Sequence, residues 1–282
     1  MERPVDLSVD GPLRFRIDLS YDGTNFYGWA KQLGLRTVQS ELVEALNTIF
    51  GDSDDDFGMR VAGRTDAGVH ATGQVIHVDV PESINLEEIA YKLNRILDED
   101  IRIMRVSIAP EAFHARFSAL RRKYTYKILD KNLPIPPINR YDIASWYRPL
   151  DAELMNSASS LVLGHHDFAA FCKFKEGGTT LRTLEEFHWE RQGDLLVATV
   201  VADAFCYSMV RNLVGAVVCV ADGRKEASWV GELLANKERV SDSLVFPARG
   251  LTLTSVEYPT NDQLLERAKV TIGKRDNGSN RA

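Results

Sequence analysis

Apolar positions recur along this chain at two spacings. Residues 14–21 (RFRIDLSY) alternate, with Phe15, Ile17 and Leu19 on one side, which predicts a half-buried strand. Asp22-Gly23 ends it with turn chemistry. Thr37 is placed to cap a helix whose apolar residues Val38, Leu42, Leu46 and Ile49 fall at helical spacing. A short strand at 59–62, a loop at 63–70 and an alternating strand at 74–80 follow. Residues 85–97 predict a helix, with Leu86, Ile89, Leu93 and Leu97 on its apolar side, and residues 101–108 a strand. The order is β-α-β-β-α-β, the ferredoxin-like arrangement, with both helices on one face of an antiparallel sheet.

The order then recurs. Residues 123–129 (KYTYKIL) predict a strand and residues 151–163 a helix with Asp151 as its cap. Residues 184–191 and 195–202 flank Gln192-Gly193-Asp194, a hairpin signal. Helices at 206–220 and 228–235 and a final strand at 251–258 complete the set. The fold class is therefore α+β: two ferredoxin-like halves with antiparallel sheets and a central cleft. We place the halves at residues 1–112 and 113–262, followed by a polar tail at 263–282 that lacks apolar pattern and reads as disordered. Pro134, Pro136 and Pro137 stiffen a loop inside the second half.

Composition narrows the class. At 282 residues, 44% hydrophobic and 26% charged, the chain has apolar material for one or two cores. The longest strongly apolar run, residues 213–221, falls well short of the ~20 residues a membrane span requires. The N-terminal segment has charges and a proline where a signal peptide needs an apolar core. Cys172, Cys206 and Cys219 have no spacing that suggests a disulfide framework or a zinc site, which fits a reducing, cytoplasmic setting. The net charge of −6 argues weakly against a nucleic-acid partner, but it is unevenly spread. Asp52, Asp54, Asp55 and Asp56 crowd one stretch, read as a solvated face. Arg116, Arg121, Arg122, Lys123 and Lys127 lie in another with no acid between them.

The sequence has no HExxH, CxxC, GxxxxGK[ST] or GxSxG motif, so neither a metal nor a cofactor is expected. The adjacent His165 and His166 read as surface loop residues. Residues 62–74 (AGRTDAGVHATGQ) stand out: three glycines punctuate a loop that presents Arg64, Thr65 and Asp66 between two strands. A nearby guanidinium favours the ionised form of a carboxylate, and such a carboxylate is a competent nucleophile toward a sugar carbon or an electrophilic ring. Taken alone, the same residues also suit an ordinary turn with a surface ion pair.

AGRTDAGVHATGQ resembles the active-site motif of the TruA family of tRNA pseudouridine synthases. Further segments agree in order: Tyr21-Asp22-Gly23 with Tyr27-Gly28-Trp29; the run from Phe113 to Ala119 leading into Lys123-Tyr124-Thr125-Tyr126; Phe205 with Met209-Val210-Arg211-Asn212 and Gly215; and Gly250-Leu251. Ala30 departs from the glutamine common there. The resemblance implies a catalytic role for Asp66, a place for Tyr124 beside the reacting base, and an Arg211 paired with Asp66. It also implies uridines at positions 38 to 40 of tRNA as targets, no cofactor, and a homodimer. Arg64, Arg116, Arg121, Arg122 and Lys123 are the expected phosphate contacts. The alternative is a non-catalytic RNA-binding protein with two RNA-recognition-like halves, although the RNP1 consensus is not found.

Overall fold

The structure is a computed structural model that describes residues 12–81, 85–173, 178–237, 244–264, 266 and 267. In β1 (Leu13–Tyr21), Phe15, Ile17, Leu19 and Tyr21 are buried and the intervening residues are partly exposed, as alternation requires. It pairs antiparallel on both sides, with β3 (His70–Val80) and with β4 (Ile101–Ile108), while the short β2 (Arg60–Val61) lies along β3. The first half thus reads 4-1-3-2 across the sheet. In the second half β10 (Leu251–Glu257), β5 (Arg121–Leu129), β9 (Leu195–Ala202) and β8 (Leu181–Gln192) lie side by side in the same pattern. Two small strands go beyond the expectation: β6 (Ala144–Ser145) against β5, and β7 (Gly164–Asp167) at the outer edge, where His165 and His166 sit in a strand and not a loop.

The halves share one sheet, ordered β4-β1-β3-β10-β5-β9-β8-β7. The join is one short parallel pairing, Thr252 with His70 and Leu253 with Ala71, in an otherwise antiparallel array except for β5–β6. It explains why β3 starts four residues earlier than its alternation suggests. Gly73 reads as loop chemistry, but it lies in the strand where β10 passes so close that an added Cβ would overlap the Thr254 carbonyl.

Helices follow their caps. α1 (Val38–Phe50) opens with a reciprocal box in which Thr37 accepts from the Ser40 amide and Ser40 accepts from the Thr37 amide. α2 (Leu86–Ile96) and α3 (Ala152–Ser160) are capped by Asn85 and Asp151; each such cap contributes ~1 kcal/mol. α4 (Met209–Ala221) is buried at every position except Arg211, and α5 (Ser228–Asn236) packs beside α3. Gly215 of α4 faces Leu244, whose carbonyl occupies the place of a Cβ. The helix expected from residue 206 starts only at Met209, because Ser208 has φ 62° and ψ 13°, a left-handed backbone that cannot extend a right-handed helix.

The cysteine reading is corrected: Cys172 and Cys206 are paired as a disulfide across 34 residues, with Cα atoms 5.7 Å apart, and Cys219 is buried. Sequence spacing could not reveal a pairing that depends on tertiary proximity. The disordered tail expected from residue 263 is corrected at its start: Leu264 is buried beside Val75 and Phe113, because its apolar side chain fills a small second cluster; residues 268–282 lie outside the described residues. No helix among the described residues is long and apolar enough to cross a membrane.

Candidate active site

The loop between β2 and β3 is held from beneath by the first-strand segment. The Trp29 amide donates to the Thr65 carbonyl at 3.0 Å, and the Tyr21 hydroxyl meets Thr65 Oγ1 at 2.8 Å. Gln74 Nε2 donates to the Gly63 carbonyl at 2.8 Å and to the Tyr21 hydroxyl at 3.1 Å. Gly28 has φ 92°, and a Cβ there would stand only 3.0 Å from the Thr65 carbonyl. These contacts give a physical reason for the YDG and YGW segments to accompany the GRTDAGVH loop: they are its foundation. Ala30, the departure noted above, packs partly buried against the core.

The loop presents Asp66 with its side chain 15% exposed. Its Oδ2 accepts from Ser208 Oγ at 2.7 Å and from Arg211 Nη1 at 3.3 Å. Arg211 is itself fixed, since its Nε donates to the Phe246 carbonyl at 2.7 Å and the Phe246 amide donates to the Arg211 carbonyl at 3.1 Å. Tyr124, 6% exposed, points to the same place from β5. A Cβ on Gly63 would lie 3.9 Å from its hydroxyl, and its ring meets Phe205 edge-on at 5.1 Å. Burial first, then the nearby Tyr21 and Asp66, push the Tyr124 phenol well above its ordinary range. Burial likewise raises Tyr21 to about 12 against the opposing bonds from Thr65 and Gln74. Both phenols are therefore protonated at neutral pH, and Tyr124 can donate a proton or stack, but not act as an anionic base.

The expected site residues separate into two groups. Asp66, Arg211 and Tyr124 converge. Arg64 is exposed, and among the described residues the ion pair to Asp66 comes from Arg211 and not from its sequence neighbour. Arg116 is exposed, with its guanidinium 5.7 Å from the Phe117 ring centre. Arg122 is corrected: it is buried and donates to the carbonyls of Asp203, Ala62 and Arg116 at 2.6, 2.9 and 2.7 Å, so it is a structural clamp and not a phosphate contact. Arg121 and Lys123 alternate with Arg122 and Tyr124 along β5, which puts them on the opposite face of the strand. Arg121 there pairs with Glu185 and Glu257 at 3.2 and 3.3 Å. Ser208 was missed, because a helix expected from residue 206 makes it one more interior helical position, whereas its left-handed backbone turns its hydroxyl toward Asp66.

Geometry of this kind belongs to an α+β enzyme with an acid at its centre, and similarity says which kind. A family model described as tRNA pseudouridine synthase matches residues 19–118 and 158–259, stretches that contain Asp66, Ser208 and Arg211 and leave Tyr124 between them. The "tRNA pseudouridine synthase A" of Frankia casuarinae is 48% identical over 268 residues, covering 95% of this chain and 97% of its own. Proteins of the same name from Streptomyces griseus and Mycobacterium leprae are 48% and 44% identical, covering 93% and 96% of this chain and 94% and 98% of their own. The chain belongs to the tRNA pseudouridine synthase family.

Proposed function

We propose that this chain converts uridine to pseudouridine at positions 38 to 40 of the tRNA anticodon stem–loop, with Asp66 as its nucleophile. The enzyme is an isomerase that acts on tRNA. In the reaction the bond from uracil N1 to ribose C1′ breaks, the base turns, and a bond from C5 to C1′ forms. C5 loses a proton and N1 carries one in the product, so substrate and product are isomers and no oxidant or reductant is consumed. The observation that carries the reading is the convergence on Asp66 of Arg211 and Ser208 from one half of the chain, with the protonated Tyr124 alongside.

The target uridine must leave its stack to reach a carboxylate that is only 15% exposed. Tyr124 and the edge-on Phe205 provide an aromatic wall for it. Arg64 and Arg116, both exposed, are the phosphate contacts we assign, with Arg121 and Lys123 available to a more distant part of the tRNA across β5. The protein works in the cytoplasm as a homodimer whose clefts form between subunits. The test is release of the C5 hydrogen from tRNA carrying C5-tritiated uridine, with the product position read by sequencing. Release is expected from the unaltered chain at positions 38 to 40 and none from Asp66→Ala; robust release from that variant removes the assignment of Asp66.

A further inference from the structure

Ser208 occupies the cap position of α4 and does not cap it. A serine there ordinarily turns its hydroxyl onto the free amides of the first helical turn. Here no side-chain cap bond is made, the backbone is left-handed at φ 62° and ψ 13°, and the hydroxyl donates instead to Asp66 Oδ2 at 2.7 Å, across 142 residues of sequence. The carbonyl of Ser208 is pinned by Asn212, whose amide and Nδ2 both donate to it at 3.1 and 2.9 Å, and Asn212 is buried. A left-handed conformation is unfavourable for any residue with a Cβ, and residues held this way persist only where their surroundings impose it. The local sequence therefore forgoes both a helix cap and a relaxed backbone to set one hydroxyl against one carboxylate oxygen.

The other donor does not replace it. Arg211 Nη1 reaches the same Oδ2 at the longer distance of 3.3 Å, and Arg211 Nε is engaged by the Phe246 carbonyl. Both donors converge on Oδ2, and among the described residues no hydrogen bond reaches Oδ1. Two donors on one oxygen fix the rotation of the carboxylate and leave the lone pairs of the other available for bond formation.

We propose that Ser208 is a positioning residue: it locks the Asp66 carboxylate through Oδ2 so that Oδ1 is the atom that attacks the flipped nucleotide. This rests on the reading of Asp66 as nucleophile. Because the residue is left-handed, Ser208→Gly separates the hydroxyl from the backbone: glycine suits φ 62° and lacks only the donor. Ser208→Ala removes the donor and keeps the unfavourable conformation.

The experiment measures kcat and KM for tRNA, with thermal unfolding as the check on folding. Ser208→Gly is expected to melt at or above the temperature of the unaltered chain. Its kcat should fall by about tenfold to a hundredfold, the usual consequence of a misplaced reacting group, with KM within about twofold. Ser208→Ala should lose kcat to a similar extent. A folded Ser208→Gly variant with unchanged kcat overturns the proposal, and so does a rise in KM alone, which would make Ser208 a tRNA contact. Asp66→Ala in the same assay keeps the two ideas apart. An active Asp66→Ala undoes the nucleophile reading itself. An inert one beside an unimpaired Ser208→Gly undoes only the role of Ser208.

Discussion

Replacing Arg122 with methionine tests whether this arginine serves the fold or the RNA. The substitution keeps an unbranched side chain of similar reach and removes every donor. Arg122 is 7% exposed, and its guanidinium holds the carbonyls of Ala62 at the entry to the Asp66 loop, of Arg116 in the connection from β4 to β5, and of Asp203 just beyond β9. Leaving a buried acceptor without its donor costs about 1–3 kcal/mol. One of the three bonds is fully buried and two are partly so. Relief of the desolvated guanidinium, whose affinity for its proton burial has lowered, offsets part of the loss. A net destabilisation of about 2–5 kcal/mol follows, or on the order of 5–15 °C in melting temperature for a chain of this size. Differential scanning fluorimetry reads that shift, and a salt titration of tRNA binding supplies the second arm. If Arg122 only clamps, the slope of log affinity against log salt is unchanged once protein is confirmed folded at the assay temperature. A phosphate contact would instead lower that slope by about one. Unchanged melting with a reduced slope would refute the assignment.

His77 and His114 are held at about 3 and about 4, both chiefly by burial and secondly by Arg14, and each uses Nδ1 to accept backbone amides. The unfolded chain, with histidine near 6.5, binds protons that the native chain refuses, so stability should fall as pH is lowered from about 6.5 toward 4. His77→Gln should flatten that slope in a melting series, and an unchanged slope would refute the account. Gly73→Ala should force β3 and β10 apart, since the added Cβ overlaps the Thr254 carbonyl, and should cost at least ~3 kcal/mol and most of the activity. Wild-type melting would contradict it. Titration of the unfolded, unreduced chain should find the Cys219 thiol alone, and reduction should release Cys172 and Cys206. The closed loop of 34 residues predicts a loss of up to ~4 kcal/mol for Cys172→Ser in non-reducing buffer, and none in the presence of a reductant.

Alternation and capping made most of the architecture legible, because both are local. Phe15, Ile17 and Leu19 announce β1 by themselves, and Thr37, Asn85 and Asp151 mark three helix starts that the structure keeps. What was not legible depends on contacts distant in sequence. Gly73 reads as a loop because nothing nearby signals that β10 will pass against it. Arg121, Arg122 and Lys123 look like one basic patch, yet they alternate between two faces of a strand. Parity gives a signal that would have separated them: once Tyr124 is assigned to the cleft, Arg122 shares its face and its two neighbours do not. The pairing of Asp66 with Arg211 came from resemblance, and no spacing rule reaches across 145 residues to find it.

The seam between β3 and β10 has a consequence for how such a chain can be divided. Asp66 arrives from one side of it, and Tyr124, Ser208 and Arg211 from the other. A polypeptide cut in the connection between β4 and β5 would give a fragment with an acid and no anchor, and another with an anchor and no acid. If Asp66 is the nucleophile, reactivity would return only when the two fragments re-annealed across this seam, with the Arg122 clamp on Ala62 and the Ser208 and Arg211 bonds to Asp66 remade.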